Sequence, residues 1–499
     1  MALAAGSPMR DIFSHGLIPG HAQSFPPLPV TSFIMFKSTF PYEIWLNIAH
    51  FIPPLVLEDL FSVNSALFHL AMEQRYRQIS FAYLSRKMLR LLVRLKDPAV
   101  AKRVRILHMH PHFVNEDFDT PASSLFSFRK FFGRKSRPPR IKNLDDLISI
   151  MDDVLNSLPN LTEYHIAWVG LQSAPAPFLC TPFRSSPLTK LTLEITLENL
   201  QTLLKSQPSF FGTLRELDLF LRTDHALDVA GYDMILSRTL APMINSLSLQ
   251  TLSLRLWEPI DMSPFFAALY PQSNLHTLSL SIPLTFPHLG NPDGVAAFLN
   301  MHSRTLRNLS LRATDLSSPI PIVDDSLSQW MQRAFYAVNL SSLFSLELGM
   351  GSIPYESAQL CISRAPRTLA NLVMTGRHLS LDEMRGLRIP RLCRLRMGPV
   401  TLSPQLMDYL AARVVVQRLE LVVSDVVPRD GEEPIYEDRE QEESQVCKFF
   451  EEMDGRRYEG WGVRHLEVAR NAVPWRRRYE DGFSDLWSRC VPSLREVAV

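Results

Sequence analysis

The sequence predicts an α/β solenoid in which short parallel strands alternate with return segments, preceded by a small helical unit. Three observations carry that reading. Leucine accounts for 74 of the 499 residues. A unit apolar-x-x-apolar-x-apolar starts at Leu161, Leu188, Leu214, Leu249, Leu275, Leu306, Leu343, Leu369, Leu392, Val416, Val463 and Leu494, with an earlier copy at Val104. Residues 40–81 show no such unit and instead carry apolar residues at helical spacing. With 46% apolar and 21% charged residues there is ample core material, which excludes a chain disordered throughout.

Residues 1–38 contain Pro, Ser and Gly without periodicity and read as a flexible leader. Residues 39–83 read as a small helical domain. Pro41 suits a helix start, Glu43 complements the first-turn dipole, and Ile44, Ile48 and Phe51 recur at helical spacing. Two more short amphipathic segments follow, one carrying Leu57, Leu60 and Phe61 and one carrying Leu67, Leu70 and Ala71. Three helices of this length have a thin core and more apolar surface than they can hide, a property of partner-docking modules. Residues 84–103 read as a helical connector.

From residue 104 to 499 each unit is a strand. Alternation sends its leucines to one face and its polar residues to the other. One unit cannot bury its leucines alone, whereas stacked parallel units form a continuous core, at roughly 1.5–3 kcal/mol per fully buried leucine. The return segments Leu197–Lys205, Tyr232–Leu240, Ser263–Tyr270, Gly294–His302, Asp325–Val338 and Pro404–Ala412 have helical character. Loop insertions are expected near 115–142 and 424–446. The first contains seven basic residues and no acid between Phe128 and Lys142, a nuclear-targeting or anionic-partner pattern or a mobile insertion; the second carries eight acids between Asp430 and Glu443 and reads as a disordered loop.

The array resembles the leucine-rich-repeat superfamily across roughly residues 104–499, although the family's Asn or Cys after the third apolar position is missing. The resemblance implies an irregular, horseshoe-like solenoid around one parallel sheet. The run Phe40-Pro41-Tyr42-Glu43-Ile44, followed by Ile48, Leu57, Leu60 and Val63, resembles an F-box and is similar to the F-box-like proteins of mushroom-forming fungi. Phe40 replaces the usual Leu, and Asn64 and Leu67-Phe68 stand where many members carry Ser or Cys and then Trp. The resemblance implies a substrate-recognition subunit of a Skp–cullin–F-box ubiquitin ligase. Its F-box would dock the Skp-type adaptor, and through it a cullin–RING ligase, by Pro41, Ile44, Ile48, Leu57 and Val63. The alternative is a protein-binding repeat scaffold without ligase association.

The expected substrate face is the polar side of the strands. Asp218, Ser253, Ser279, Ser310, Glu347 and Arg396 occupy the position between the second and third apolar residues, and Arg255 and Arg312 project beside them. Two arginines there suit an acidic or phosphorylated segment, while solvated strand positions are the plainer reading. His108, His110 and His112 alternate as metal ligands on a strand could, but Pro111 interrupts them and no fourth ligand is indicated.

Charge and motifs narrow the function. A net charge of +1 gives no global reason for nucleic acid or an anionic membrane as the main partner, so charge-driven binding has to be local. Five cysteines without a C-x-x-C pair fit neither a disulfide framework nor a zinc module and favour cytosol or nucleus. No spanning segment, phosphate-binding glycine loop, nucleophile elbow or zinc-protease motif occurs, so the chain is expected to be non-catalytic, with no cofactor and no metal.

Overall fold

The computed structural model describes residues 41–115, 143–169, 176–206, 212–223, 229–257, 261–282, 291–313, 325–336, 338–349, 355–365, 367–429, 431, 439–470 and 477–498. The expected leader and the basic run 128–142 lie outside them. The chain divides into two compact units after Ala71.

The first unit holds helix α1 (Tyr42–His50), helix α2 (Pro54–Asp59), a single turn of 3₁₀ helix (Leu60–Ser62) and the start of helix α3 (Ser65–Arg77). Pro41 stands just ahead of α1, with its carbonyl accepting from the Ile44 and Trp45 amides. Pro53 precedes α2, so the Pro53-Pro54 pair both ends one helix and starts the next. The Asn64 side chain accepts from the Leu67 amide (2.8 Å) and caps α3. Asn is among the best capping residues, so the start of α3 is well satisfied. The core is Leu57, Leu67, Leu70 and Ala71, against which Trp45, Ala49, Ile52 and Leu60 pack.

The second unit is one parallel sheet of fourteen strands in sequence order. They are β1 (Gln78–Phe81), β2 (Ile106–Met109), β3 (Glu163–Trp168), β4 (Lys190–Thr196), β5 (Glu216–Arg222), β6 (Thr251–Leu256) and β7 (Thr277–Ile282), then β8 (Asn308–Ala313), β9 (Ser345–Gly349), β10 (Asn371–Leu379), β11 (Leu392–Leu402), β12 (Val416–Val426), β13 (His465–Arg470) and β14 (Glu496–Ala498). The α/β solenoid architecture expected from the repeats is present.

Register is kept across the array. Leu217, Leu252, Leu278, Leu309 and Leu346 are successive partners, and so are Leu219, Leu254, Leu280, Leu311 and Leu348. These files lie under the helices in one core cluster that runs from Tyr76 to Val491. The ladder also extends one residue beyond the strand starts. The Thr189 carbonyl accepts from both the Arg215 and Glu216 amides, and the pattern recurs at Arg215, Gln250, His276, Arg307, Phe344 and Ala370. The edge where strands begin is therefore as ordered as the sheet. At the opposite edge two turns into helices are a single residue: Ser380 joins β10 to Leu381–Gly386 and caps it in a capping box, and Ser403 joins β11 to Pro404–Arg413, its side chain accepting from the Leu406 amide.

Three expectations need correction. The sheet starts at β1, ahead of residue 104, because Tyr76-Arg-Gln-Ile79-Ser-Phe81 is itself a repeat unit whose aromatic ends disguise it; Tyr76, Ile79 and Phe81 are all buried. Residues 84–103 are thus the first return segment: Arg86–Leu95, capped by Ser85, buries Met88, Leu92 and Leu95 in the repeat core. The acidic stretch is in part ordered, since the helix Arg439–Met453 covers its end and Val446, Phe449 and Met453 are core residues.

Candidate docking and recognition surfaces

Each unit presents one candidate surface. In the first, nine large apolar side chains are exposed between Tyr42 and Phe68: Tyr42, Ile44, Leu46, Ile48, Phe51 and Val56, then Phe61, Val63 and Phe68. They account for most of the exposed large apolar side chains among the described residues. Helix α1 and the turn that follows it have two apolar stripes, and the one packed inward is Trp45, Ala49 and Ile52. The stripe of Ile44, Ile48 and Phe51 stays outside, with Ile44 42%, Ile48 39% and Phe51 85% exposed.

Of the five residues expected to dock an adaptor, Pro41, Ile44, Ile48 and Val63 lie at the surface. Leu57 does not. It is 7% exposed and belongs to the core with Leu67 and Leu70, because α2 is short and turns its best apolar residue inward. Periodicity placed Phe61 with Leu57 and Leu60 without marking it as exposed and left out Phe68; the signal was that two neighbouring positions were both aromatic or aliphatic, more than one inward stripe can use.

In the second unit the polar strand positions form a row on the sheet face away from the core. The row runs in register through Thr192, Asp218, Ser253, Ser279, Ser310 and Glu347 and continues through Val373, Arg396, Glu420 and Glu467. The sequence-expected residues are therefore brought together as a line. Arg255 and Arg312 fall in the next row on the same face, separated by the buried Ser281 of β7.

The charges of this line are not free as expected. Arg312 pairs with Glu347, and Arg255 lies over the Phe220 ring at 4.8 Å. Gly349 leaves room for the first pairing, since a Cβ there would come within 3.0 Å of the Arg312 chain. Asp218 stands 3.9 Å from Lys190; burial raises its pKa and Lys190 only partly offsets the rise. The middle of the row is uncharged hydroxyl surface. An anion-receiving arginine pair at Arg255 and Arg312 is thus replaced by two separately engaged guanidinium groups.

Sequence reasoning also missed the first exposed row. Arg394 and Arg418 flank Glu420, whose side chain is 5% exposed and accepts from Arg394 Nη2 at 2.8 Å and Arg418 Nε at 2.7 Å. Burial pushes the Glu420 carboxyl up, but the two arginine hydrogen bonds outweigh it and hold the pKa below the usual value. The signal was the recurrence of Arg two residues before the central position on adjacent units. At the other end of the sheet, His108 stacks on His165 of the next strand with ring centroids 4.4 Å apart, while His112 leaves the strand and stacks on Tyr83. Burial lowers the pKa of His108, His110 and His165, and neighbouring imidazoles or, at His165, Lys190 lower it further. Among the described residues no group of His, Cys, Asp and Glu is disposed to share a metal ion.

No protein-family model matches the chain, and no curated protein does. Solved structures do. The chain is similar to the leucine-rich-repeat protein LegL7 from Legionella pneumophila at 16% identity and a TM-score of 0.34, over 60% of this chain and 93% of that one. It is similar to a chain of the yeast Rad7–Elc1 complex at 16% identity and a TM-score of 0.35, over 67% and 86%. A leucine-rich-repeat protein of Leptospira interrogans matches at 12% identity and a TM-score of 0.29, over 83% and 99%. The in-register leucine files and the sequential parallel sheet make the second unit a leucine-rich-repeat fold.

Proposed function

We propose that this chain is a substrate-receptor subunit of a Skp–cullin–F-box ubiquitin ligase, with the first unit as its F-box and the repeats holding a protein substrate. The observation that carries the reading is the apolar surface of α1 and its neighbours. Ile44, Ile48, Phe51 and Val63 are exposed on a unit whose core needs none of them. An apolar surface of this density on thirty-odd residues is the signature of a docking module. Its partner in this reading is the Skp-type adaptor, and through it a cullin–RING ligase. The chain performs no chemistry of its own. It raises the effective concentration of a substrate lysine near a charged ubiquitin carrier. The substrate lies on the open face of the sheet, over the row from Asp218 to Arg396.

The test is capture of a Skp-type adaptor by the full chain beside an Ile44→Asp, Ile48→Asp double variant, with both shown to be folded by circular dichroism. Capture by the wild type alone supports the reading. Failure of both folded proteins to capture the adaptor rejects it and leaves a protein-binding leucine-rich-repeat scaffold.

A further inference from the structure

In a parallel repeat every helix begins at one edge of the sheet and ends at the other. Helix dipoles favour acids at starts and bases at ends, so a preference local to each helix sums along the array into two edges of opposite charge. The acids are in place at helix starts: Glu198, Asp293, Glu356, Asp382 and Glu383 all lie in first turns. The other edge, where helices end and strands begin, carries arginine well beyond what the dipole explains. Arg304 and Arg307 lead into β8, Arg367 into β10, and Arg388 and Arg391 into β11. Arg413 ends the helix before β12, Arg457 and Arg464 lead into β13, and Arg495 into β14.

These nine side chains are exposed and form no ion pair among the described residues. The described acids of the same helix ends and connections are Glu451, Glu452, which pairs with Arg429 at 3.2 Å, Asp454, which pairs with Arg489 at 3.2 Å, and Glu459, all before β13. Dipole effects fade within one turn, whereas Arg307, Arg391, Arg464 and Arg495 sit beside strand starts, several residues past the helices. The backbone ladder sets some of them side by side: the Arg495 amide donates to the Arg464 carbonyl at 2.8 Å, and the Phe344 amide to the Arg307 carbonyl at 2.7 Å.

The one connection of this stretch without arginine, into β9, carries aromatics instead. Phe344 is 48% and Tyr336 69% exposed, and the Arg364 guanidinium lies 5.2 Å from the Tyr336 ring centre. Seven strands at about 4.8 Å spacing give a strip of roughly 29 Å along the sheet edge. A line of unpaired, forked guanidinium groups suits phosphates rather than one point charge. Flat rings interleaved with them suit unstacked bases.

We propose that this arginine edge, from β8 to β14, binds single-stranded nucleic acid, with the arginines on the phosphate backbone and Tyr336 and Phe344 under bases. The near-zero net charge of the whole chain hides the site, because acids elsewhere in the sequence offset it. The proposal does not depend on the ligase reading, and its site shares no residue with the adaptor surface.

The experiment is fluorescence anisotropy of a labelled oligo-thymidine of about 20 nucleotides with the full chain, titrated across salt. Two variants accompany it: Arg307→Gln, Arg391→Gln, Arg464→Gln, Arg495→Gln, and Tyr336→Ala, Phe344→Ala. The wild type is expected to bind at about 50 mM salt with a steep negative salt slope. The arginine variant should lose on the order of tenfold or more in affinity and about 2–3 from the slope, at roughly 0.7 per phosphate contact. The aromatic variant should bind several-fold more weakly with the slope kept, and both should capture the Skp-type adaptor as well as the wild type does. Absence of binding, or equal binding by wild type and arginine variant, overturns the site. Displacement of the oligonucleotide by polyglutamate at equal charge concentration reassigns the edge to an acidic protein and overturns the nucleic-acid assignment. A duplex bound as tightly as the single strand, with the aromatic variant unaffected, overturns the single-strand assignment.

Discussion

The helical unit and the repeat unit treat apolar residues in opposite ways. In the repeat unit nearly every leucine of the repeat pattern is below 10% exposed and shares one continuous core. In the helical unit four residues form the core while nine large apolar side chains remain outside. The difference follows from geometry. A stacked array offers each unit two neighbours to bury against, whereas three short helices have few inward positions. Apolar surface left over in the first unit is thus a consequence of its size.

Truncating one phenylalanine on each side of that comparison, buried in the repeats and exposed in the helical unit, sets the largest expected effect. Phe298, 1% exposed and packed on Phe266 with ring centres 5.4 Å apart, should lose about 3–5 kcal/mol of unfolding free energy on Phe298→Ala in urea titration. The matching truncation Phe51→Ala should stay within about 0.5 kcal/mol. Comparable losses from both would mean the exposed stripe is structural and would break the contrast.

Adaptor capture sharpens it. Ile44→Asp with Ile48→Asp should abolish capture while moving thermal stability little, since exposed substitutions usually lie within about 0.5 kcal/mol each. Leu57→Asp should instead unfold the helical unit, seen as lost helical circular dichroism, because Leu57 lies in its small core.

A smaller effect concerns the repeat unit's open face. Glu420→Gln leaves Arg394 and Arg418, side chains 43% and 50% exposed, side by side without their shared carboxylate. A loss of about 1–2 kcal/mol is expected, reduced from the buried-pair range because solvent screens both arginines. A double-mutant cycle with Arg394→Gln checks that the loss is pairwise.

The smallest effect is pH dependence at the start of the sheet. His108, His110 and His165 have folded-state pKa values below the ordinary 6.5. Well above pH 6.5 both states are neutral there and the three contribute no pH dependence. As pH falls below 6.5 the unfolded chain takes up protons first, so stability should decline with falling pH until the folded-state values are passed. His165→Gln should flatten that decline in melting curves between pH 7 and pH 5, and an unchanged slope would remove the stacked pair as its source.

Much of the repeat unit was legible because its signal is local. Alternation assigns each strand residue to a face without reference to anything distant, which is why the row from Asp218 to Arg396 could be read before the sheet was seen. The unit at Tyr76 was hidden because it lacks leucine, although Tyr76, Ile79 and Phe81 satisfy the same physics. In the helical unit the positions of Ile44 and Ile48 were legible, while Leu57 was misplaced, since helical spacing marks two apolar stripes and does not say which one faces a neighbour.

By itself the sequence determined the solenoid, the faces of its strands and the apolar excess of residues 40–68. Only the tertiary structure decided that Trp45, Ala49 and Ile52 turn inward while Ile44 and Ile48 do not. It also decided which distant charges meet, as Arg394 meets Glu420 and Arg312 meets Glu347, and that arginines scattered over nearly two hundred residues fall on a single edge. The reason is physical. Periodicity is set by bonds along the chain, whereas a choice between stripes and an alignment between repeats depends on neighbours that only folding supplies.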